Sequence, residues 1–224
     1  MELYVIDSKG SMCAAVGHGE PSQRVLFKAL DDVGLARPGS EPEPDVEITG
    51  EQLPRVVDGV REALRDLLAA TPVGDAKGMY DASAVEILGE RVWIRVRDQS
   101  QYALKRLNSL YLGLEGAAKS QTHVTVLAVP VLDALDKATL AVAHHGVERS
   151  RLAAALRERY AHLQSLTSDP QMTADLARHA DAVFDDELLD RHLARLAAWK
   201  LVRLEADGSV LPTRKLQLVR PLTA

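Results

Sequence analysis

The side chains that could carry catalysis or hold a metal ion are few, and most are poorly spaced for either task. His144 and His145 are adjacent, so on a helix they point in different directions, whereas two ligands of one ion favour an i,i+4 spacing. Asp175 and His179 have that spacing, which suits a general base and its orienting group, but no nucleophile in a recognisable turn accompanies them. Cys13, in a predicted strand, is typical of a small core residue. The sequence therefore predicts no catalytic residue and no metal site.

One glycine-containing segment, GHGEPS at Gly17–Ser22, precedes a predicted helix, where backbone N–H groups are able to hold a phosphate. It lacks the Lys-Ser/Thr pair of a P-loop and the third glycine of a dinucleotide fingerprint. A turn is the better interpretation. We therefore expect no cofactor, and a protein that is not an enzyme.

Composition limits the classes of function that remain. The chain has 224 residues, of which 46% are hydrophobic, enough to bury the core of one large or two small domains. Aromatic residues are only 4%, which argues against a single-strand nucleic-acid binder that stacks bases on several rings. The formal net charge of −5 is not the basic footprint of a protein that binds phosphate over its whole surface. Any contact with DNA must be local.

The sequence shows no pattern typical of a signal peptide, a membrane span or an intramolecular disulfide. The start, MELYVIDSKG, has no positive region followed by an apolar run, and is therefore not typical of a signal peptide. The longest apolar stretch, Val124 to Val131, is too short to span a bilayer. A single cysteine cannot form an intramolecular disulfide. These features predict a cytoplasmic protein without a membrane partner.

Residues 1–129 are predicted to form an α+β domain of unknown role, in which the order hairpin, helix, strand occurs twice. Thr49 and Gln52 form a capping-box pattern before a helix with a Leu-rich face at 53–68. A second hairpin is predicted to turn at Gly89–Glu90, and a helix from about Gln101 follows it.

Residues 130–224 are predicted to form a mainly helical domain. Helices are expected at 131–146, from residue 150, and at 172–183. Asp185 is a good N-cap for a further helix with a leucine seam, and alternation after Leu201 then predicts two strands. The two strands are expected to meet at an Asp207–Gly208 turn, the second returning through Leu216 and Leu218.

The stretch DELLDRHLARLAAWKLV followed by RLEADGSVLPTRKLQLV resembles the third helix and the wing of a winged-helix domain, over about residues 130–221. One departure is that some twenty residues separate the second and third helices, whereas a minimal helix-turn-helix has only a few. The resemblance implies either DNA binding through the third helix or protein docking in a multi-subunit machine. The general plan is also similar, more weakly, to winged-helix accessory subunits of chromosome-organising complexes.

The charge of residues 148–224 helps to decide between DNA binding and protein docking. Residues 148–224 hold 12 Lys or Arg against 11 Asp or Glu, so this part is neutral rather than basic. Asp185, Asp186, Glu187 and Asp190 lie at the start of the third helix, where base and phosphate contacts normally concentrate, and these four carboxylates would repel DNA. Basic side chains remain as candidates for contact with nucleic acid or a partner: Arg191, Arg195, Lys200, Arg203, Arg214 and Lys215.

Our first hypothesis is therefore a non-enzymatic adaptor or subunit of a larger bacterial assembly that is DNA-associated and binds a protein partner. It expects the Leu-rich faces at 53–68 and 104–114 to exceed the needs of the core and leave an exposed patch. The alternatives are a regulator that binds double-stranded DNA mainly through phosphate contacts, and a toxin-neutralising binder or an enzyme with a dispersed site.

Overall fold

The computed structural model describes residues 1–39, 44–73, 80–95, 97–166, 174, 177 and 186–218. The chain divides into two compact units, Met1–Pro130 and Val131–Ala224. Both helices and antiparallel sheets are present, which confirms the predicted α+β class. Within the described ranges, none of the helices combines the length and the apolar character needed to cross a membrane.

In the first unit, the described residues form a four-stranded antiparallel sheet, a separate hairpin and three helices. In chain order its elements are β1 (Glu2–Asp7), β2 (Met12–Val16), α1 (Pro21–Asp31), β3 (Val46–Ile48), α2 (Leu53–Ala70), β4 (Ala82–Ile87), β5 (Glu90–Arg95), α3 (Gln99–Lys119) and β6 (Val124–Val129). The strands of the larger sheet lie in the order β2-β1-β6-β3, and β4 pairs with β5. Hairpin, helix and strand therefore occur twice, as predicted.

Local sequence signals explain where the helices of this unit begin. Asp98 caps α3, because its carboxylate accepts the backbone N–H groups of Ser100 and Gln101 at 3.0 and 3.1 Å. The reciprocal bonds predicted between Thr49 and Gln52 are also formed, at 3.2 and 3.4 Å, in the turn that leads into α2.

The expectation of an exposed Leu-rich patch on α2 and α3 is wrong. The two helices pack against each other, and α3 also packs on β1 and β2, so the apolar faces are used within the unit. On α2 only Leu67 and Leu68, near the end of the predicted face, are half-buried rather than buried. The buried members are Leu53, Val56, Val57, Val60 and Leu64 on α2, and Leu104, Leu107, Leu110, Tyr111 and Leu114 on α3.

The turn of the second hairpin lies one residue earlier than predicted. Ile87 pairs with Glu90, so the two-residue loop is Leu88–Gly89. Both loop residues have positive φ, 51° and 84°, as the twist of a two-residue hairpin requires. Glycine accepts this conformation without strain, whereas leucine does not.

In the second unit, the described residues form a small three-stranded antiparallel sheet and four helices. Its elements are α4 (Ala134–Ala143), β7 (Val147–Glu148), α5 (Arg149–Leu166), α6 (Asp186–Ala198), β8 (Val202–Leu204), β9 (Ser209–Pro212) and α7 (Arg214–Leu218). The strand order is β7-β9-β8, so β9 is paired on both sides. The helix predicted at 172–183 and the N-cap predicted at Asp185 lie outside the described residues.

Two predictions for this unit need correction. The helix expected at 131–146 is shorter, because a capping box between Asp133 and Asp136 starts it and Gly146, with φ of 74°, follows its end. The second strand does not return through Leu216, since Thr213 Oγ1 accepts the N–H of that residue and starts α7 instead.

Candidate functional site

A cleft of about 600 Å³ lies in the second unit, between the starts of α5 and α6 and the turn joining β8 to β9. Its walls are mainly acidic. The lining residues are Glu148, Arg149, Ser150, Asp186, Asp190, Asp207 and Gly208, and we call this region the acidic cleft. Four carboxylates and one guanidinium give it a formal balance of three negative charges.

Arg149 is the single cation among these lining residues, and it is already engaged. Its Nε donates to Asp190 Oδ1 at 2.6 Å, and its Nη2 donates to the Asp186 carbonyl at 3.1 Å and carboxylate at 3.3 Å. The hydrogen bond to Asp190 is the main reason why the pKa of Arg149 is raised. Its backbone N–H bonds to the Gly208 carbonyl at 2.8 Å, which joins the start of α5 to the turn. Arg149 therefore orders the cleft but leaves its charge negative.

Asp207 supplies a second ordered carboxylate at the turn. Its Oδ1 accepts the backbone N–H of Ser209 at 2.9 Å, and this bond lowers the pKa of Asp207. Hydrogen bonding to the charged form keeps the carboxylate ionised at neutral pH. Gly208 follows with φ of 84°, a conformation that glycine adopts without steric cost.

An apolar pocket of about 230 Å³ adjoins the acidic cleft and shares Arg149, Asp190 and Gly208 with it. Its apolar wall is formed by a leucine of α6, a leucine of β8 and a valine of β9. These are Leu193, Leu204 and Val210. Leu204 is 44% exposed, which is unusual for a large aliphatic side chain in this protein. The two adjoining cavities thus offer negative charge beside an apolar surface.

The six basic residues selected from the sequence differ in burial and in their partners. Arg195 turns towards α4, where its guanidinium lies 3.5 Å from Asp136 and donates to the Val131 carbonyl at 3.3 Å. Arg203 pairs with its neighbour Glu205.

The remaining basic candidates lie in different environments. Arg191 is exposed on α6, Lys200 is exposed just after it, and Arg214 is exposed at the start of α7. Lys215 is only 6% exposed. A common surface for phosphate would need these ammonium and guanidinium groups to face solvent together, and the burial of Lys215 is unfavourable to that.

The sequence segments considered for chemistry make the following contacts where they are described. Cys13 is half-buried, and burial raises the pKa of its thiol. In the glycine-containing segment, both carboxylate oxygens of Glu20 accept from Nε of Arg106, each at 3.2 Å. The rings of His144 and His145 meet edge to face, 5.1 Å between centroids. The pair Asp175 and His179 lies outside the described residues.

Sequence reasoning missed the groups that define this region, because their partners are distant along the chain. Nothing near Arg149 indicates that Asp186 and Asp190 will enclose it. The buried contact between Asp136 and His192, 2.9 Å from Oδ1 to Nε2, was not expected either. In the sequence, only the acidic residues at the start of α6 indicated that negative charge would be concentrated in this region.

Comparisons of the chain with protein-family models, with curated protein sequences and with solved structures returned no significant match.

Proposed function

We propose that the protein is a non-enzymatic adaptor whose second unit is a winged-helix-like module that docks a protein partner in the acidic cleft. The occupant is a segment that carries lysine or arginine next to an apolar side chain. The basic groups bind at the carboxylates of Asp186, Asp190 and Asp207, and the apolar side chain enters the pocket beside Leu204.

The element order supports the winged-helix part of this proposal. Among the described elements, a helix, a short strand, two further helices and a two-stranded hairpin occur in the order α4, β7, α5, α6 and β8–β9. The sheet order β7-β9-β8 places the short strand against the second strand of the hairpin. On this interpretation α6 is the third helix and the turn at Asp207–Gly208 is the tip of the wing.

Charge complementarity supports a basic occupant and carries the proposal. In a DNA-binding winged helix, the start of the third helix contacts the negatively charged groove. Here that place holds Asp186 and Asp190, with Glu148 and Asp207 across the cleft. Complementary potential steers the encounter and excludes wrong partners. The same carboxylates that repel phosphate attract lysine and arginine.

The alternative, a regulator that binds double-stranded DNA, has less support. It would rely on the exposed Arg191, Lys200 and Arg214, and Arg191 directly follows Asp190, one of the carboxylates of the acidic cleft. The apolar faces of α2 and α3 are buried, so they do not support the adaptor function, which rests on the acidic cleft instead.

The experiment is a fluorescence anisotropy titration of the full-length protein against three labelled probes. One is a short peptide with lysines and arginines around a central leucine, the second replaces that leucine by serine, and the third is a DNA duplex. We expect the leucine peptide to bind best. The double variant Glu148→Gln/Asp186→Asn is expected to weaken it about two- to thirtyfold, because each exposed ion pair contributes about 0.2–1 kcal/mol.

A matched control removes two carboxylates from the first unit, Glu62→Gln/Asp66→Asn, and changes the net charge equally. Loss of affinity only in the cleft variant supports the proposal. Equal loss in both variants would show unspecific attraction and overturn it. Preference for the duplex would favour the DNA-binding alternative, and no binding of either peptide would reject a basic, apolar occupant.

A further inference from the structure

A second cluster of polar groups lies in the second unit, away from the residues that line the acidic cleft. Asp136, in the first turn of α4, has no exposed surface, and His192 of α6 has a side chain that is 11% exposed. Nε2 of the histidine lies 2.9 Å from Oδ1 of the aspartate. Nevertheless, both atoms are buried and neither makes a hydrogen bond to a described residue. The two atoms are at ion-pair distance, but their contact does not meet the geometry of a hydrogen bond.

Two side chains that are close together without a hydrogen bond between them are able to face a third atom. Zinc binds His nitrogen at about 2.0–2.1 Å and carboxylate oxygen at about 2.0–2.2 Å, in tetrahedral geometry. Two such ligands are separated by about 3.4 Å, so Asp136 and His192 need to move apart by about half an ångström to bind an ion. A simple ion pair would instead aim the ring N–H at the oxygen.

Asp133 provides a third ligand group from the N-cap of α4. In the capping box its Oδ1 accepts the N–H of Asp136 at 2.7 Å, and Asp136 Oδ2 accepts the N–H of Asp133 at 3.0 Å. Each carboxylate thus keeps one oxygen outside the capping box. Single ligand atoms of Asp133, Asp136 and His192 lie within 4.8 Å of one another. The exposed side chain of Asp133 needs only a small movement to complete the group.

The surroundings of the cluster are polar and incompletely satisfied. The hydroxyls of Thr139 and Tyr160 are also buried without a hydrogen-bond partner among the described residues. Burial, and after it the negative charge of Asp133, raise the pKa of Tyr160 to about 12. Buried polar atoms are normally paired, so this many orphaned atoms indicate a missing group.

The local charge also suits a cation. The cluster holds two carboxylates, and one of them, Asp136, has the guanidinium of Arg195 3.5 Å from its Oδ2. A neutral imidazole and two carboxylates are a donor set that zinc accepts, whereas magnesium and calcium favour oxygen ligands alone. The side on which Asp133 is exposed leaves room for water as a further ligand.

We propose that Asp133, Asp136 and His192 bind one zinc-type divalent transition-metal ion. The ion joins the start of α4 to α6, and α6 also forms a wall of the acidic cleft. The site is independent of the proposed docking function, because it rests on different residues.

The test is isothermal titration of ZnCl₂ into chelator-treated full-length protein in a buffer that does not bind metal. We expect one equivalent to bind. His192→Gln and Asp133→Asn, the second of which keeps a good N-cap residue, should each weaken binding at least tenfold. The control variant His144→Gln/His145→Gln removes the adjacent surface histidines and should bind as the parent does.

Cobalt substitution gives a second readout, because ligand-field absorption reports the number and type of ligands directly. The absorption spectrum of the cobalt-loaded His192→Gln variant should differ from that of the cobalt-loaded parent. The spectrum of the His144→Gln/His145→Gln control should match the parent. Absence of stoichiometric zinc binding would overturn the proposal. Binding that survives His192→Gln, or that disappears in the control, would also overturn it and assign the metal to surface histidines.

Discussion

Gly113, in the middle of α3, packs closely against the backbone of β2. A Cβ atom added to it would lie 2.3 Å from the carbonyl oxygen and 2.8 Å from the carbonyl carbon of Cys13 in β2. The obstacle is backbone, so it cannot be relieved by rotating a side chain. Gly116, one turn later, has no atom within 4 Å of its added Cβ. The two glycines therefore form a matched pair for substitution by alanine.

The expected free energies have opposite signs. Alanine is favoured over glycine in an exposed helix interior by about 0.8–1 kcal/mol, so Gly116→Ala should stabilise the first unit by about that amount. At Gly113 the same gain is outweighed by overpacking, which costs about 1–3 kcal/mol or more. Since 2.3 Å is far inside normal contact, we take the upper end, and expect Gly113→Ala to destabilise by about 2 kcal/mol.

The measurement is urea unfolding followed by tryptophan fluorescence. Trp93 lies in the first unit and Trp199 in the second, so a Trp199→Phe background makes the signal report on the first unit. Both variants should keep the parent m-value, which would show that unfolding exposes the same amount of surface as in the parent. The reasoning about the close approach would be refuted if Gly113→Ala were as stable as Gly116→Ala.

Two further predictions concern the first unit. Leu88→Asn should stabilise it by about 0.5–1 kcal/mol in the same unfolding assay, because Leu88 has φ of 51° and asparagine tolerates the left-handed region better; a loss of stability would contradict this. Hydrogen bonds from Lys119 and Tyr111 lower the pKa of Glu115, so its contribution is present above the unfolded pKa and is lost as pH falls through the folded value. Glu115→Gln should therefore lose less stability than the parent between about pH 5 and pH 3, and identical pH profiles would exclude a role for this carboxylate.

The features that could be predicted from the sequence are those with local signals. The hairpin of β1 and β2, the amphipathic pattern of α2 and the Thr49–Gln52 turn before it each depend on residues close together in the chain. The position of the second turn was missed by one residue, because the choice between Leu88–Gly89 and Gly89–Glu90 is made by strand register rather than by the glycine itself.

The features that were missed depend on distant partners. β7 has only two residues, and it is a strand because Val147 pairs with Val210. Likewise α7 replaces a predicted strand because Thr213 bonds to the carbonyl groups of Lys200 and Leu201, at the end of α6. Periodicity in the sequence carries no information about such bonds.

The way the β8–β9 turn is held has a consequence for recognition. β9 is hydrogen-bonded on both sides, Arg149 N–H bonds to the Gly208 carbonyl, and Asp207 bonds to Ser209. These contacts hold the turn in one conformation before binding. The segment proposed to dock there would therefore pay little free energy for ordering the protein. A rigid wall also fixes the spacing between charge and apolar surface. Selectivity among basic segments would then depend on where the apolar residue lies in the ligand, and net charge alone would be a poor guide to it.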